Sequence, residues 1–219
     1  MPHKNGLKVD FHVHSHFSSD GDMTPEEIIR YAKEAGLDAI AVTDHNSLRG
    51  GKEVEKLSKD LIVLVGSEIK TDVGEIIALN IKKDIERDLD LEETCRRVKE
   101  QGGFIIISHP FDRFRSGIGN EAEKIVKYID AVEVFNARTM VGKFNDDALA
   151  FARRHKLPCV AGSDSHFASE LGSAYTLVMA ENKKGIFKAI RQGRTEIAGR
   201  KTGIMPHWKT FVRKMSKKL

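Results

Sequence analysis

Five short apolar runs along the chain are each followed at once by a histidine or a carboxylate, and that recurrence limits the fold more than any other feature. The first run, residues 7–14, sets Val9, Phe11 and Val13 against Asp10, His12 and His14. Alternate residues of a strand share a face, so His12 and His14 project together from its end while apolar neighbours anchor the other face. Residues 39–42 lead into Thr43-Asp44-His45-Asn46, and residues 61–65 into Gly66-Ser67-Glu68. Residues 104–107 lead into Ser108-His109-Pro110, and residues 158–162 into Ser163-Asp164-Ser165-His166. The runs 61–65 and 104–107 are apolar at every position, as strands covered on both faces of a parallel sheet are.

Helical stretches separate these runs. Thr24-Pro25-Glu26-Glu27 reads as a helix start, with Thr24 as N-cap, Pro25 in the first helical position and Glu27 completing a capping box. That helix stops at Gly36. Asp90 with Glu93 forms a second capping box, opening a helix that ends at Gly102-Gly103. Residues 51–59, 120–128, 143–155 and 183–192 read as further helices, and 75–81, 130–135 and 174–179 as further strands. In α/β folds, sites are built at the C-terminal ends of strands. An open sheet spreads those ends along an edge, whereas a parallel β/α barrel brings them to one point. Ligand-type residues at five strand ends therefore predict an α/β barrel. No repeat or interdomain linker interrupts the pattern, so residues 1–200 are read as one barrel domain and 201–219 as a basic tail.

Composition narrows the class. A chain of 219 residues with 40% hydrophobic and 31% charged residues is expected to be a soluble globular protein with one substantial core. No apolar run approaches the roughly 20 residues that cross a bilayer, and the first residues lack an apolar signal core, so the expected location is the cytoplasm and no membrane partner is expected. Cys95 and Cys159 are too few and too far apart for a disulfide framework. The net charge of +4 is modest, with seven Lys or Arg and no acid between Arg200 and Leu219.

The candidate metal ligands are His12, His14, Asp20, His45, Glu68, His109, Asp164 and His166. Imidazole suits zinc, manganese and iron, and carboxylates can bridge two cations. Eight ligands exceed what one ion needs and fit a cluster of two or three divalent ions (Mn, Zn or Fe). Such a cluster generates a hydroxide nucleophile at neutral pH and polarises a phosphoryl oxygen. His16 is an ambiguous further ligand, while His3, His155 and His207 are read as structural or exposed. No nucleophile elbow or glycine-rich phosphate loop is visible.

His12-x-His14 with Ser19-Asp20-Gly21, Thr43-Asp44-His45-Asn46, Gly66-x-Glu68, Ser108-His109-Pro110 and Ser163-Asp164-x-His166 together resemble the polymerase-and-histidinol-phosphatase (PHP) superfamily of metal-dependent phosphoesterases. The resemblance covers residues 7–200. It implies a distorted (β/α)7 barrel, a trinuclear site and hydrolysis of phosphate esters. It further implies that His12, His14, Glu68 and Asp164 hold one ion, Glu68 and His109 a second, and Asp20, His45 and His166 a third. Many relatives place a further histidine after the glutamate or in the strand ending here at Asn136. This chain has Ile76-Ile77-Ala78 and Glu133-Val134-Phe135-Asn136 instead, which leaves the second ion short of a ligand. The stretch Glu170–Thr176 also resembles the segment just past the last motif in small stand-alone members.

A phosphate needs cationic donors, and arginine offers a fork suited to its oxygens. Arg138 is the first candidate, Arg113 and Arg115 come next, and Lys70 is a remote third. Asp44, beside His45, is expected to orient a ligand imidazole or to protonate the leaving group. The expected activity is hydrolysis of small phosphorylated metabolites or nucleotides. The alternatives are a nuclease acting on polynucleotide ends, which the basic tail favours, and a non-catalytic RNA-binding subunit on the same barrel.

Overall fold

The computed structural model describes residues 6–203. Most of the basic tail, with Lys209, Arg213, Lys214, Lys217 and Lys218, lies outside the described residues, as do His3 and His207.

Among the described residues, nine strands form one sheet in the order β7-β6-β5-β4-β3-β2-β1-β8-β9. The strands are β1 (Leu7–Val13), β2 (Ala39–Val42), β3 (Ile62–Lys70), β4 (Glu75–Leu79), β5 (Phe104–Ile107), β6 (Ala131–Asn136), β7 (Cys159–Gly162), β8 (Ala174–Val178) and β9 (Thr195–Gly199). Among the described residues five α-helices pack around them: α1 (Pro25–Glu34), α2 (Arg49–Leu57), α3 (Leu91–Glu100), α4 (Gly142–His155) and α5 (Lys183–Arg191). The sheet curls until β7 meets β1. There Val13 and Ser165 form a parallel bridge, and the His14 N–H donates to the Ser165 carbonyl at 2.8 Å. Buried Asp10 strengthens this seam by accepting from the backbone N–H of Ser163 at 2.8 Å.

The expected α/β barrel is present, with two departures from a uniform β/α repeat. β1, β2 and β3 are parallel, as are β5, β6 and β7, but β4 runs antiparallel to both its neighbours. The reason is local. Thr71-Asp72-Val73-Gly74 turns the chain back, with the Thr71 N–H on the Gly74 carbonyl at 2.7 Å. A two-strand return of this length cannot make a parallel crossover. β8 and β9 then add to β1 as antiparallel strands. β9 is absent from the sequence reading because its half-exposed residues carry no apolar alternation.

Local signals explain most boundaries. The capping box of α1 is complete, with Thr24 Oγ1 accepting the Glu27 N–H at 3.2 Å and Glu27 Oε2 accepting the Thr24 N–H at 2.9 Å. At α3 only half of the expected box forms. Asp90 Oδ1 caps the Glu93 N–H at 3.0 Å, but the Glu93 carboxylate turns to Arg97 at 2.7 Å. The stretch Gly119–Tyr128, expected to be an ordinary helix, is a 3₁₀ helix without a side-chain N-cap. α2 starts at Arg49, two residues before the expected start.

One buried cluster fills the closed end of the curl, joining Phe11, Leu64, Ile77, Leu79, Phe104 and Ile106. α5 seals it with Ile186, Ala189 and Ile190. Leu64 and Glu68 lie four residues apart on β3, and Ala131 and Glu133 two apart on β6, so each pair shares a face. The apolar floor thus continues along the same strand faces into a polar centre.

Candidate metal centre

All eight expected ligands converge at the strand ends. His12, His14, Asp20, Glu68, His109, Asp164 and His166 are buried, and the His45 side chain is 22% exposed. β1 does not reach the centre by simple alternation: its pairing with β2 shifts register between Asp10 and Val13, and His14 lies just past the strand. Two of these residues adopt left-handed backbone, His109 (φ 28°) and Asp164 (φ 54°). Such conformations cost about 1–3 kcal/mol each and persist only where the surroundings enforce them.

Four side-chain atoms surround one point. His12 Nε2 lies 3.3 Å from Glu68 Oε2 and 3.7 Å from Asp164 Oδ1, while His14 Nε2 lies 3.4 and 3.5 Å from the same two oxygens. Ligands roughly 2.1 Å from a tetrahedral ion stand about 3.4 Å apart. Neither imidazole Nε2, nor Asp164 Oδ1, makes a hydrogen bond among the described residues. Buried polar atoms left without a hydrogen-bond partner are costly, and a divalent cation at their centre would satisfy them together. A second group lies beside the first. Asp20 Oδ1 is 3.5 Å from His45 Nε2 and 3.4 Å from His166 Nε2, and nitrogen atoms of His14, His45 and His166 lie within 4.8 Å of one another. A third, sparser place lies beside His109, whose Nε2 is 3.1 Å from Glu68 Oε1 and 4.0 Å from Asp164 Oδ2. Glu75, half-buried, also approaches: its Oε1 lies 3.7 Å from His45 Nδ1. These donors, mixed imidazole and carboxylate, fit divalent metal ions.

The rings are held from behind. Glu133 Oε1 meets His12 Nδ1 at 3.1 Å, and its Oε2 accepts the His109 N–H at 2.8 Å. A carboxylate on Nδ1 fixes the tautomer that leaves Nε2 for a metal. Gly162 makes room for this pair, since a Cβ there would lie 2.5 Å from His12 Cβ and 2.6 Å from Glu133 Oε1. Ser18 Oγ meets His14 Nδ1 at 3.1 Å and donates to Asp44 Oδ1 at 2.8 Å. Asp44 also accepts from the Ser15 N–H and hydroxyl, both at 2.7 Å. Asp44 thus reaches the His14 ring through Ser18, and it does not line the cavity. Gly50, in the first turn of α2, makes room for this carboxylate, because a Cβ there would lie 1.9 Å from Asp44 Oδ2.

The arginines differ in placement. Arg138 is buried at the cavity wall, with Nε 3.0 Å from Glu170 Oε1 and Nη1 2.8 Å from His166 Nδ1. Burial lowers its pKa to about 10, which leaves it charged at neutral pH. Arg115 donates from Nη1 to Asn136 Oδ1 at 2.9 Å and from Nη2 to Asp164 Oδ2. Arg113 is exposed and is not among the residues that line the cavity. Lys70 and Arg87 do line it, both paired with Asp88, at 3.1 and 2.7 Å. The cavity has a volume of about 520 Å³, with Phe114, 72% exposed, at its edge. Sequence reasoning missed Glu133, Ser18, Glu170 and Arg87. Only Glu133 left a signal, as an acid inside the apolar strand 131–135.

Charge is distributed unevenly among the rings. Burial opposes a proton on His12, but Glu68 and Glu133 outweigh it and push its pKa up to about 10. Burial likewise opposes His45, and Asp20 and Glu68 raise it to about 9. Burial and the neighbouring imidazoles hold His14 well below the usual histidine range. Burial and Arg138 bring His166 down to about 3. Elsewhere, Cys95 is buried with its thiol pushed up to about 12, and both cysteines are free. Among the described residues, no helix is long and apolar enough to cross a membrane.

Known proteins are similar to this chain. A family model described as PHP-associated matches residues 142–195. An uncharacterized protein of Methanocaldococcus jannaschii is 39% identical over 155 residues, covering 65% of this chain and 90% of that protein. A 5′-3′ exoribonuclease of Haemophilus influenzae is 28% identical over 156 residues, covering 67% of this chain and 56% of that one. Among solved structures, a two-domain protein of Bacteroides vulgatus containing a predicted PHP-like metal-dependent phosphoesterase superposes with a TM-score of 0.77. It is 22% identical, and the match covers 94% of this chain and 69% of that one.

Proposed function

This chain belongs to the PHP superfamily, and on that premise we propose that it is a metal-dependent hydrolase of phosphate esters, acting on small phosphorylated compounds that include nucleotides. The observation that carries this reading is the four-atom set of His12, His14, Glu68 and Asp164, spaced for one cation and open to a cavity walled by arginine. His12, His14, Glu68 and Asp164 would hold one divalent ion, and Asp20, His45 and His166 another, with manganese, zinc and iron all suited to the donors. Ions held there supply Lewis-acid polarisation of the phosphoryl group and lower the pKa of an attacking water.

The chain's own residues do the positioning. Arg138, charged and fixed by Glu170, faces the cavity beside His166 and holds a phosphate oxygen. Glu133 keeps the His12 ring turned toward the centre, and Asp44 does the same for His14 through Ser18. Both are positioning residues, because neither lines the cavity. Phe114 offers a flat apolar face at the edge, 5.9 Å ring to ring from Phe144, which suits the base of a nucleotide.

The test is phosphate release from a panel of nucleotides, nucleotide bisphosphates, sugar phosphates, histidinol phosphate and short oligonucleotides, using metal-stripped protein with manganese, zinc or iron added back. Metal-dependent turnover of a monoester, lost in His12→Ala, supports the reading. Metal-loaded protein that is silent across the panel overturns it. The ends of a polynucleotide are the second reading, favoured by the named relative from Haemophilus influenzae. Deleting residues 203–219 separates the two, since binding of a polynucleotide would weaken and lose salt dependence while small-molecule turnover would not change.

A further inference from the structure

The centre offers three places for a cation, and the chain equips two of them. We infer that the third place, beside His109, is served by the guanidinium of Arg115 in place of an ion, so that the loaded centre is binuclear. The inference rests on the metal-centre reading of the proposed function.

The two oxygens of Asp164 lie in opposite environments. Oδ1, on the side of His12 and His14, makes no hydrogen bond among the described residues. Oδ2, on the side of His109, accepts from Arg115 Nη2 and from Asn136 Nδ2, the latter at 3.0 Å. The Asn136 amide can be oriented in one sense only. Its Oδ1 accepts the backbone N–H of Arg138 at 3.0 Å and Arg115 Nη1 at 2.9 Å, and a backbone N–H requires an oxygen. The amide nitrogen, which has no lone pair to give a metal, therefore faces the centre. It donates both to Asp164 Oδ2 and to Glu133 Oε2, the second at 3.0 Å. Glu133 Oε2 is further engaged by the His109 N–H.

A cation beside His109 would thus find His109 Nε2 and Glu68 Oε1; Asp164 Oδ2, 4.0 Å from His109 Nε2 in the grouping of His12, His109 and Asp164, is already taken by N–H donors of Asn136 and the positive charge of Arg115. Too few lone pairs converge for a divalent ion, and like charges repel strongly in a buried site. Arg115 solves the same electrostatic problem without exchange of ligands. It bridges Asn136 and Asp164 with two nitrogens, and it lines the cavity where a phosphate oxygen would arrive.

The experiment is metal content per chain, by elemental analysis, after loading metal-stripped protein with excess manganese and desalting. The expected values are two ions in the wild type and three in the double variant Arg115→Ala/Asn136→Asp, which removes the guanidinium and turns the amide into a carboxylate of the same shape. Arg115→Ala alone keeps the amide, and calorimetric titration with manganese is expected to show an added, weaker third step. That single variant decides the matter if the double variant does not fold. Three ions in the wild type overturn the inference, as does an Arg115→Ala titration identical to the wild type. No bound metal in any form overturns the metal-centre reading itself, and the inference with it.

Discussion

The same strands are built by opposite rules at their two ends. At the floor, Leu64, Ile77, Phe104 and Ile106 are fully enclosed, in ordinary strand conformation, with α5 completing the seal. At the rim, His12, His14, His109 and Asp164 are enclosed just as tightly, yet each brings a polar atom without a hydrogen-bond partner, and His109 and Asp164 adopt left-handed backbone. The floor gains free energy by removing carbon from water. The rim costs free energy in the absence of a ligand, through desolvated carboxylates and imidazoles. A centre of this kind is tolerated because the floor stabilises it and because bound ions return the deficit.

Substitutions at the two ends should separate these roles. Asp164→Ala is expected to remove metal-dependent turnover by more than about a hundredfold, since it deletes a ligand oxygen and not merely a partner of one. Its thermal midpoint without metal should fall less than that of a floor variant, because loss of a desolvated carboxylate partly offsets loss of its contacts with Arg115 and Asn136. A large loss of metal-free stability would break the division between floor and rim. Ile77→Ala is the converse, costing about 2–5 kcal/mol of stability with metal content per chain unchanged. Loss of metal in that variant would show that the two ends are one cooperative unit.

Glu133→Gln sits between the ends and should have a smaller effect, weakening metal affinity about 10- to 100-fold; a calorimetric titration checks this. The smallest effect is in pH. His12 and His45 are raised to about 10 and about 9, so in the metal-free protein both carry protons at pH 7. A raised histidine contributes stability that is complete below its ordinary value, about 6.5, and is lost as pH climbs through its folded value. The metal-free protein should therefore weaken between pH 7 and 10. Ions no longer have to displace those protons at high pH, so the stability gap between loaded and metal-free protein should widen over the same interval. Melting curves with EDTA and with manganese at pH 7 and 9.5 measure the gap, and a gap that narrows contradicts the placement of those protons.

The sequence was legible where one residue's chemistry is set directly by its place after an apolar run. His12, His14, His45, Glu68, His109, Asp164 and His166 are all of this kind, and they meet. Asp20 comes from the loop after β1 and stands outside this pattern of a residue placed directly after an apolar run. The hidden features depend on partners distant along the chain. Asp44 neighbours His45 in sequence but serves His14 through Ser18. Arg115 is separated from Asp164 by 49 positions, and nothing local marks their contact. Asn136 stands out in the sequence as a missing ligand, while its role as an oriented donor depends on the backbone of Arg138. The antiparallel β4 was hidden for another reason: its apolar residues fit either strand direction, and only the turn at 71–74 decides.

The most direct test of the central claim is the melting temperature of metal-stripped protein with and without divalent ions. At 100 times the dissociation constant, one bound ion adds about 2.7 kcal/mol, which for a domain of this size raises the midpoint by roughly 5–10 °C. The account predicts that rise for manganese, zinc or iron in the wild type and its loss in Asp164→Ala. A wild-type midpoint that no divalent ion moves would mean that the strand ends of this barrel do not form a metal centre.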